Sequence, residues 1–256
     1  MPTLGAVISQ PCFSCGAALE ADDLAAYGRA ALAHARAAHA DLGHHDDMAV
    51  RNYYEGLVRL TGGSERLEAI GPVEVHPVTE DRLDDWLAFF DHDAQVTMPE
   101  ESACYCLEPH EMVPGERPPV RHWTERREDM IGLFRSGAAF GYLAYVDGRP
   151  VGWVSAARRG DYALFRRGDE RDGSTVGVAC FTIAPPYRGH GVARALLDRV
   201  VADAAARGAT GVEAYPLHTG IPGDGFRGGR PMYDAAGFTE VKVRTFDTVV
   251  RKDTGT

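Results

Sequence analysis

Residues 180–201, CFTIAPPYRGHGVARALLDRVV, constrain the fold more than any other segment. An apolar run, Cys180, Phe181 and Ile183, breaks at Pro185-Pro186. Glycines follow at 189 and 191, and apolar residues then return at helical spacing as Val192, Leu196, Leu197 and Val200. Prolines end a strand's ladder because they lack the N–H that the ladder needs. The later spacing marks a helix with one buried stripe. A helix N-terminus exposes unpaired N–H groups and the positive end of its dipole. Glycines there let an anion approach the backbone closely. The N–H groups from Arg188 to Ala193 are therefore a candidate anion nest. A plain strand-to-helix turn would use the same glycines, and the run lacks the third glycine of a dinucleotide fingerprint.

The rest of the chain supplies the partners of this unit. VEVHPV (73–78) alternates as a strand does, and TEDRLDDWLAFFDHD (79–93) reads as a helix opened by Thr79, with Trp86, Leu87 and Phe90 inside. ERREDMIGLFRSG (125–137) is a second helix closed by Gly137. In FGYLAYVDGRPVGWVSAA (140–157) two strands flank Asp147-Gly148, a strong hairpin signal. A charged loop (161–174) precedes the strand VGVACFTI, and the helix after it stops at Gly208. GVEAYPL is a strand, PMYDAAGF a short helix, and TEVKVRTFDTVVRK the closing strands. This order predicts an α/β (α+β) fold, a mixed sheet with helices on both faces.

The first 70 residues differ in character. They hold a cysteine pair, an Ala-rich helical stretch from Asp22 to Ala40, and an apolar-periodic segment from Met48 to Leu60. TGGSERLEAIGP (61–72) reads as a helix stop and linker, so a module at 1–70 and a larger domain at 73–256 are expected. A net charge of -10 argues against a nucleic-acid partner and suits solubility. No apolar run approaches the roughly 20 residues of a membrane span. The first residues carry no basic group ahead of their apolar run, and the five cysteines do not suggest a disulfide framework. The expectation is a cytoplasmic protein with reduced thiols.

Three features in one order resemble the GCN5-related N-acetyltransferase (GNAT) superfamily. The first is Arg188-Gly189-His190-Gly191-Val192-Ala193, between strand and helix. The second is Tyr233, followed by three residues and then Gly237-Phe238, one strand later. The third is the VDGRPVGW hairpin ahead of the signature strand. The resemblance spans about residues 73–252. It implies acetyl-CoA as co-substrate, with the backbone of Phe181, Thr182 and Ile183 pairing with the pantetheine arm. It implies the pyrophosphate on the N–H groups of Arg188, Gly189, His190, Gly191, Val192 and Ala193, with Arg188 and Arg194 adding charge-assisted contacts. Tyr233 would protonate the leaving thiolate. Family members often carry an Asn and an Ala upstream of this Tyr; here the region is GDGFRGGRPMY, where Pro231 suits a first helical turn. A Gly-rich loop should therefore precede a short helix.

No general base is marked. Glu213 and Tyr215 share one face of their strand, and His218, Glu100 and Glu101 are further candidates; water could serve instead. Cys104 and Cys106 would point the same way from a strand, as a metal pair, an acyl-cysteine site or two small half-buried residues.

Near the N-terminus, Cys12 and Cys15 stand two residues apart ahead of Gly16, and the following helix carries His34 and His39. The pattern C-x2-C-x18-H-x4-H supplies four ligands for tetrahedral zinc, and His44 or His45 could replace one. It resembles the two-Cys two-His zinc finger with a longer middle spacing. A small segment lacks a large core, so a metal staple would help it fold. Residues 1–70 hold five Arg against nine Asp and Glu, which favours docking or homodimer contacts over DNA. The sequence thus predicts an acetyl-CoA-dependent N-acetyltransferase with an N-terminal zinc module, acting by direct transfer to an amine of a small molecule or a protein. A non-catalytic acyl-CoA sensor, whose zinc module meets a partner protein, is the rival reading.

Overall fold

The computed structural model describes residues 8–12, 15–22, 67–94, 104–114, 116, 123–165, 174–220 and 224–255, with scattered helical positions from 26 to 38. The Met48–Leu60 segment, His39, His44, His45, Glu100 and Glu101 lie outside these residues. A small two-stranded sheet comes first. β1 (Ile8–Pro11) pairs antiparallel with β2 (Ala18–Ala21). The sequence patterns do not mark this hairpin.

A seven-stranded mixed sheet forms the body. Its strands are β3 (Glu74–Pro77), β4 (Gly141–Val146), β5 (Arg149–Arg158), β6 (Thr175–Ile183), β7 (Gly211–Ala214), β8 (Thr239–Val243) and β9 (Thr248–Asp253). Their spatial order is β3-β4-β5-β6-β7-β9-β8, and only β6 and β7 run parallel. The β4–β5 turn places Asp147 at φ 51° and Gly148 at φ 75°, the two left-handed residues that a tight hairpin needs.

Helices cover both faces. α1 (Leu83–Ala88), α2 (Glu108–Glu111) and α3 (Trp123–Ser136) precede the β4–β5 hairpin, α4 (Val192–Ala206) joins β6 to β7, and α5 (Arg230–Ala235) precedes β8. On one face α4 inserts Val192, Leu196, Leu197 and Val200 against Val151, Val154, Val178 and Phe181. On the other, Trp86, Phe89, Phe90, Tyr105 and Met130 pack on Leu143 and Trp153. A third, smaller cluster joins Ala157, Tyr162, Phe165, Ala179, Tyr215 and Val249.

The expected helix over 79–93 is composite. A 3-10 turn (Glu80–Arg82) leads into α1, and a π turn (Phe89–Asp93) ends it. Thr79 stands at the start but makes no capping bond to the backbone; its hydroxyl turns to Asp81. The wider π turn brings Phe89 inward beside Phe90, while Leu87 stays only partly buried. No helix among the described residues is long and apolar enough to cross a membrane.

Candidate functional site

The site begins with a fork. β6 and β7 pair from Thr175↔Gly211 to Val178↔Ala214, and among the described residues no ladder continues beyond. Two observations explain the parting. Ala179 is bulged out of register, because β5 pairs Ser155 with Cys180 and then Ala156 with Val178. Bulges bend a strand and increase its twist. Beyond Ala214 the chain follows the β8–β9 turn instead: Thr248 N–H donates to the Pro216 carbonyl at 3.0 Å and His218 N–H to the Phe246 carbonyl at 2.9 Å.

At the far end of β6 the double proline forms a 3-10 turn, Pro185–Tyr187. Gly189 and Gly191 follow at φ 81° and 82°. Gly191 is the N-cap of α4, and no side chain caps that end. A Cβ built at Gly191 meets nothing within 4 Å, so the backbone here faces open space. The nest expected from Arg188–Ala193 therefore has the geometry of an anion cradle. Arg188 does not simply reach outward: its Nε donates to the Ile183 carbonyl at 3.0 Å, and burial lowers its pKa. Arg194 lies along α4 and pairs with Asp198 at 2.8 Å. Phe181 and Thr182 are buried and Ile183 half-buried. The N–H of Leu67, in the linker, donates to the Pro186 carbonyl at 3.0 Å.

Tyr233 stands on α5, capped by Gly229 with Pro231 in its first turn, so the helix is short and follows a Gly-rich loop. The motif ends the helix in a bond from Phe238 N–H to the Tyr233 carbonyl at 3.0 Å, with Gly237 at φ 81°. This turn brings the Phe238 ring to 5.3 Å from that of Tyr233. The phenol is fully buried, and its hydroxyl donates to the Arg227 carbonyl at 2.7 Å. Burial raises its pKa well above the ordinary value, so it keeps its proton.

Of the candidate bases, Glu213 is not a surface carboxylate. It sits 5 % exposed between Arg159 at 3.4 Å and Arg251 at 3.5 Å, and accepts from the Tyr215 hydroxyl at 3.1 Å. The two guanidinium groups tie this carboxylate into the root of the fork. His218 lies 3.3 Å from the Thr248 hydroxyl.

Cys104 and Cys106 do not lie on a strand. Tyr105 and Cys106 have φ 47° and 57°, and Leu107 N–H donates to the Cys104 carbonyl at 3.0 Å, closing a tight left-handed turn. Alternation along a strand therefore does not apply, and Cys106 is buried while Cys104 is only partly so. Sequence reasoning also missed His110. Its Nδ1–H donates to the Asp161 carbonyl at 3.3 Å, its ring lies 4.7 Å from that of Tyr162, and its Nε2 has no partner among the described residues. Burial lowers its pKa to about 4. A carbonyl partner 51 positions away leaves no local sequence signal.

At the N-terminus, Cys12 N–H donates to the Ala17 carbonyl and Gly16 N–H to the Cys12 carbonyl, both at 2.7 Å, with Gly16 at φ 75°. This knuckle turns both cysteines to one side of the β1–β2 hairpin. Cys12, Cys15 and His34 bring one ligand atom each within 4.8 Å of the others, and Cys15 Sγ lies 3.3 Å from His34 Nε2. Two sulfurs and an imidazole nitrogen are a donor set suited to zinc.

Comparisons with known proteins bear on the larger domain. Residues 98–222 match the model of the Acetyltransferase (GNAT) family. The seven-stranded mixed sheet flanked by helices is the mixed α/β architecture expected from the sequence. Similar solved structures include an N-acetyltransferase from Staphylococcus aureus Mu50, at 13% identity over 72% of this chain and 100% of that one, TM-score 0.45. A GCN5-related N-acetyltransferase from Kribbella flavida has 14% identity over 71% and 97%, TM-score 0.45. A candidate acetyltransferase from Salmonella typhimurium, solved with acetyl-CoA, has 14% identity over 72% and 94%, TM-score 0.45. No curated protein matches the chain.

Proposed function

We propose that the chain is an acetyl-CoA-dependent N-acetyltransferase that transfers acetyl directly to an amine, of a small molecule in the first instance. The observation that carries this reading is the fork between β6 and β7, continuous with the uncapped, glycine-lined start of α4. Phe181, Thr182 and Ile183 offer the pantetheine arm an extended backbone, and the N–H groups of Arg188–Ala193 receive the pyrophosphate. Two reactants held in register lose much of the entropic barrier. The amine nitrogen attacks the thioester carbonyl, whose oxygen takes charge facing the N–H groups near Thr182 and Ile183. The C–S bond breaks, Tyr233 gives the departing thiolate a proton, and the proton that the attacking nitrogen loses passes through water to restore the phenol. Its buried, protonated phenol suits that role once it leaves the Arg227 carbonyl.

We also infer a structural zinc ion on Cys12, Cys15, His34 and His39 in a module spanning residues 1–70, the acetyl-transfer domain being 73–256. This module meets a protein partner or a second copy of the chain, neither nucleic acid nor membrane, and the protein is cytoplasmic. A second reading has one observation in its favour: the Tyr233 hydroxyl already has a partner. On that reading the chain senses acyl-CoA without turnover. An amine library including protein amines, followed by release of free thiol from acetyl-CoA, separates the two. Thiol release with any amine supports transfer; acetyl-CoA binding without release under every amine supports the sensor.

A further inference from the structure

The turn carrying Cys104 and Cys106 is costly as built. Left-handed backbone costs an ordinary L-residue roughly 1–2 kcal/mol, and here Tyr105 and Cys106 both adopt it in succession. The surroundings force it. The Tyr105 ring is wholly buried against Trp86 and Phe90, its hydroxyl donates to Asp91 at 2.7 Å, and Arg127 grips the same carboxylate with two bonds at 3.2 Å. The result is to turn Cys106 inward, 2 % exposed, onto the core cluster against which Cys180 of β6 packs. The indole N–H of Trp153, buried in the same cluster, has no hydrogen-bond partner among the described residues. Cys106 and Cys180 meet in this cluster, and each perturbs the other's thiol more than any other group does.

We propose that Cys106 and Cys180 are an oxidisable thiol pair, a modification site at which a peroxide closes a reversible disulfide between the strained turn and the signature strand. Cys180 is the attacking sulfur. It is the partly exposed member, and its pKa is lowered by the neighbouring Cys106 and by the Arg227 guanidinium. Cys106 is pushed the opposite way by Cys180 and by burial, and burial raises Cys104 to about 11. The Cys180 thiolate attacks one oxygen of hydrogen peroxide. The O–O bond breaks, hydroxide leaves and takes up a proton to become water, and Cys180 is a sulfenic acid. The Cys106 sulfur then attacks the Cys180 sulfur, and the sulfenic hydroxyl leaves with the Cys106 proton as a second water. Two thiols lose two electrons and two protons, and one peroxide gains them. The linkage stands independently of the proposed acetyl transfer; its effect on turnover rests on that reading, because Cys180 adjoins Phe181 on β6 and interacts electrostatically with Tyr233.

The test uses the full chain, reduced with dithiothreitol, desalted, exposed to hydrogen peroxide, blocked with N-ethylmaleimide and digested without reductant. Mass spectrometry should find a peptide pair joining Cys106 to Cys180, lighter by two hydrogens than its separate parts. Cys104→Ala should keep that linkage, and Cys106→Ser should leave a sulfenic acid on Cys180 that dimedone traps. A Cys104–Cys180 linkage overturns the assignment. So does recovery of Cys106 and Cys180 as maleimide adducts at a peroxide dose that oxidises Cys12 and Cys15. Oxidised protein should lose thiol release from acetyl-CoA with an accepted amine, and dithiothreitol should restore it. A linkage formed in a protein that does not bind acetyl-CoA when reduced would overturn the proposed function and leave the thiol pair standing.

Discussion

Tyr233 would have two jobs that pull apart. Its hydroxyl satisfies the Arg227 carbonyl, a structural bond worth about 1 kcal/mol, and the proposed transfer would ask it for a proton. Tyr233→Phe should therefore lower kcat by roughly 10²-fold or more while acetyl-CoA affinity, measured by calorimetry, stays close to wild type. A variant with near-normal kcat would reduce the phenol to packing. His110 makes a different prediction. Its folded-state pKa of about 4 lies below the ordinary histidine value of 6.5, so between those values the unfolded chain binds the extra proton. Stability is then fully present above pH 6.5 and is lost as pH falls toward 4, by up to roughly 3 kcal/mol at 1.36 kcal/mol per unit. Urea unfolding of His110→Phe should be flatter than wild type over that window; parallel curves would exclude the buried ring as the cause. Neither role of these residues was legible to the same degree. Tyr233 came from its spacing to Gly237-Phe238, which the structure explains as a helix stop. His110 and the Glu213 network depend on partners brought from other strands, and a single sequence does not record them.

At the scale of elements, the parts with strong local chemistry were legible. Asp147-Gly148 fixed a hairpin, Gly208 and Gly137 closed helices, and the strand–turn–helix unit stood out by its prolines and glycines. The C-Y-C stretch misled because an apolar triplet reads as a strand, whereas Tyr105's burial and its bond to Asp91 override that preference. The fork was invisible for a related reason, since a bulge at Ala179 and a diverted β7 depend on pairing across the sheet. The start of α4 carries its own prediction. Gly191 at φ 82° faces open space, so the protein itself does not obstruct a side chain there. Gly191→Glu should cost about 1–2 kcal/mol in backbone strain. Acetyl-CoA should raise the melting temperature of the wild type, and Gly191→Glu, by placing a carboxylate where the pyrophosphate would lie, should abolish that rise. An undiminished rise in the mutant would move the anion site elsewhere.

At the scale of the molecule, the seven-stranded sheet has two extensive cores, while the β1–β2 hairpin has only four residues in each strand. The large domain should fold without metal, and the small one should not. Purified protein should carry about one zinc ion per chain, by the ligand count. Cys15→Ser should lower that content and expose the N-terminal residues to protease, while acetyl-CoA binding survives. Elemental analysis showing metal-free protein, prepared without chelator and protease-resistant at its N-terminus, would overturn the zinc assignment. The contact from Leu67 to the Pro186 carbonyl carries the linker to the turn beside the cradle.

A fork in a sheet is also a hazard in concentrated solution. Beyond Val178, β6 has no continuing partner strand on its β7 side among the described residues. An edge of that kind templates any extended chain that reaches it. A pantetheine arm would occupy such an edge with its own amides and stop short; a neighbouring polypeptide would not stop. Ligand-free protein at high concentration should therefore self-associate through its middle strands, and the small molecule that fills the fork should act as its own solubilising agent.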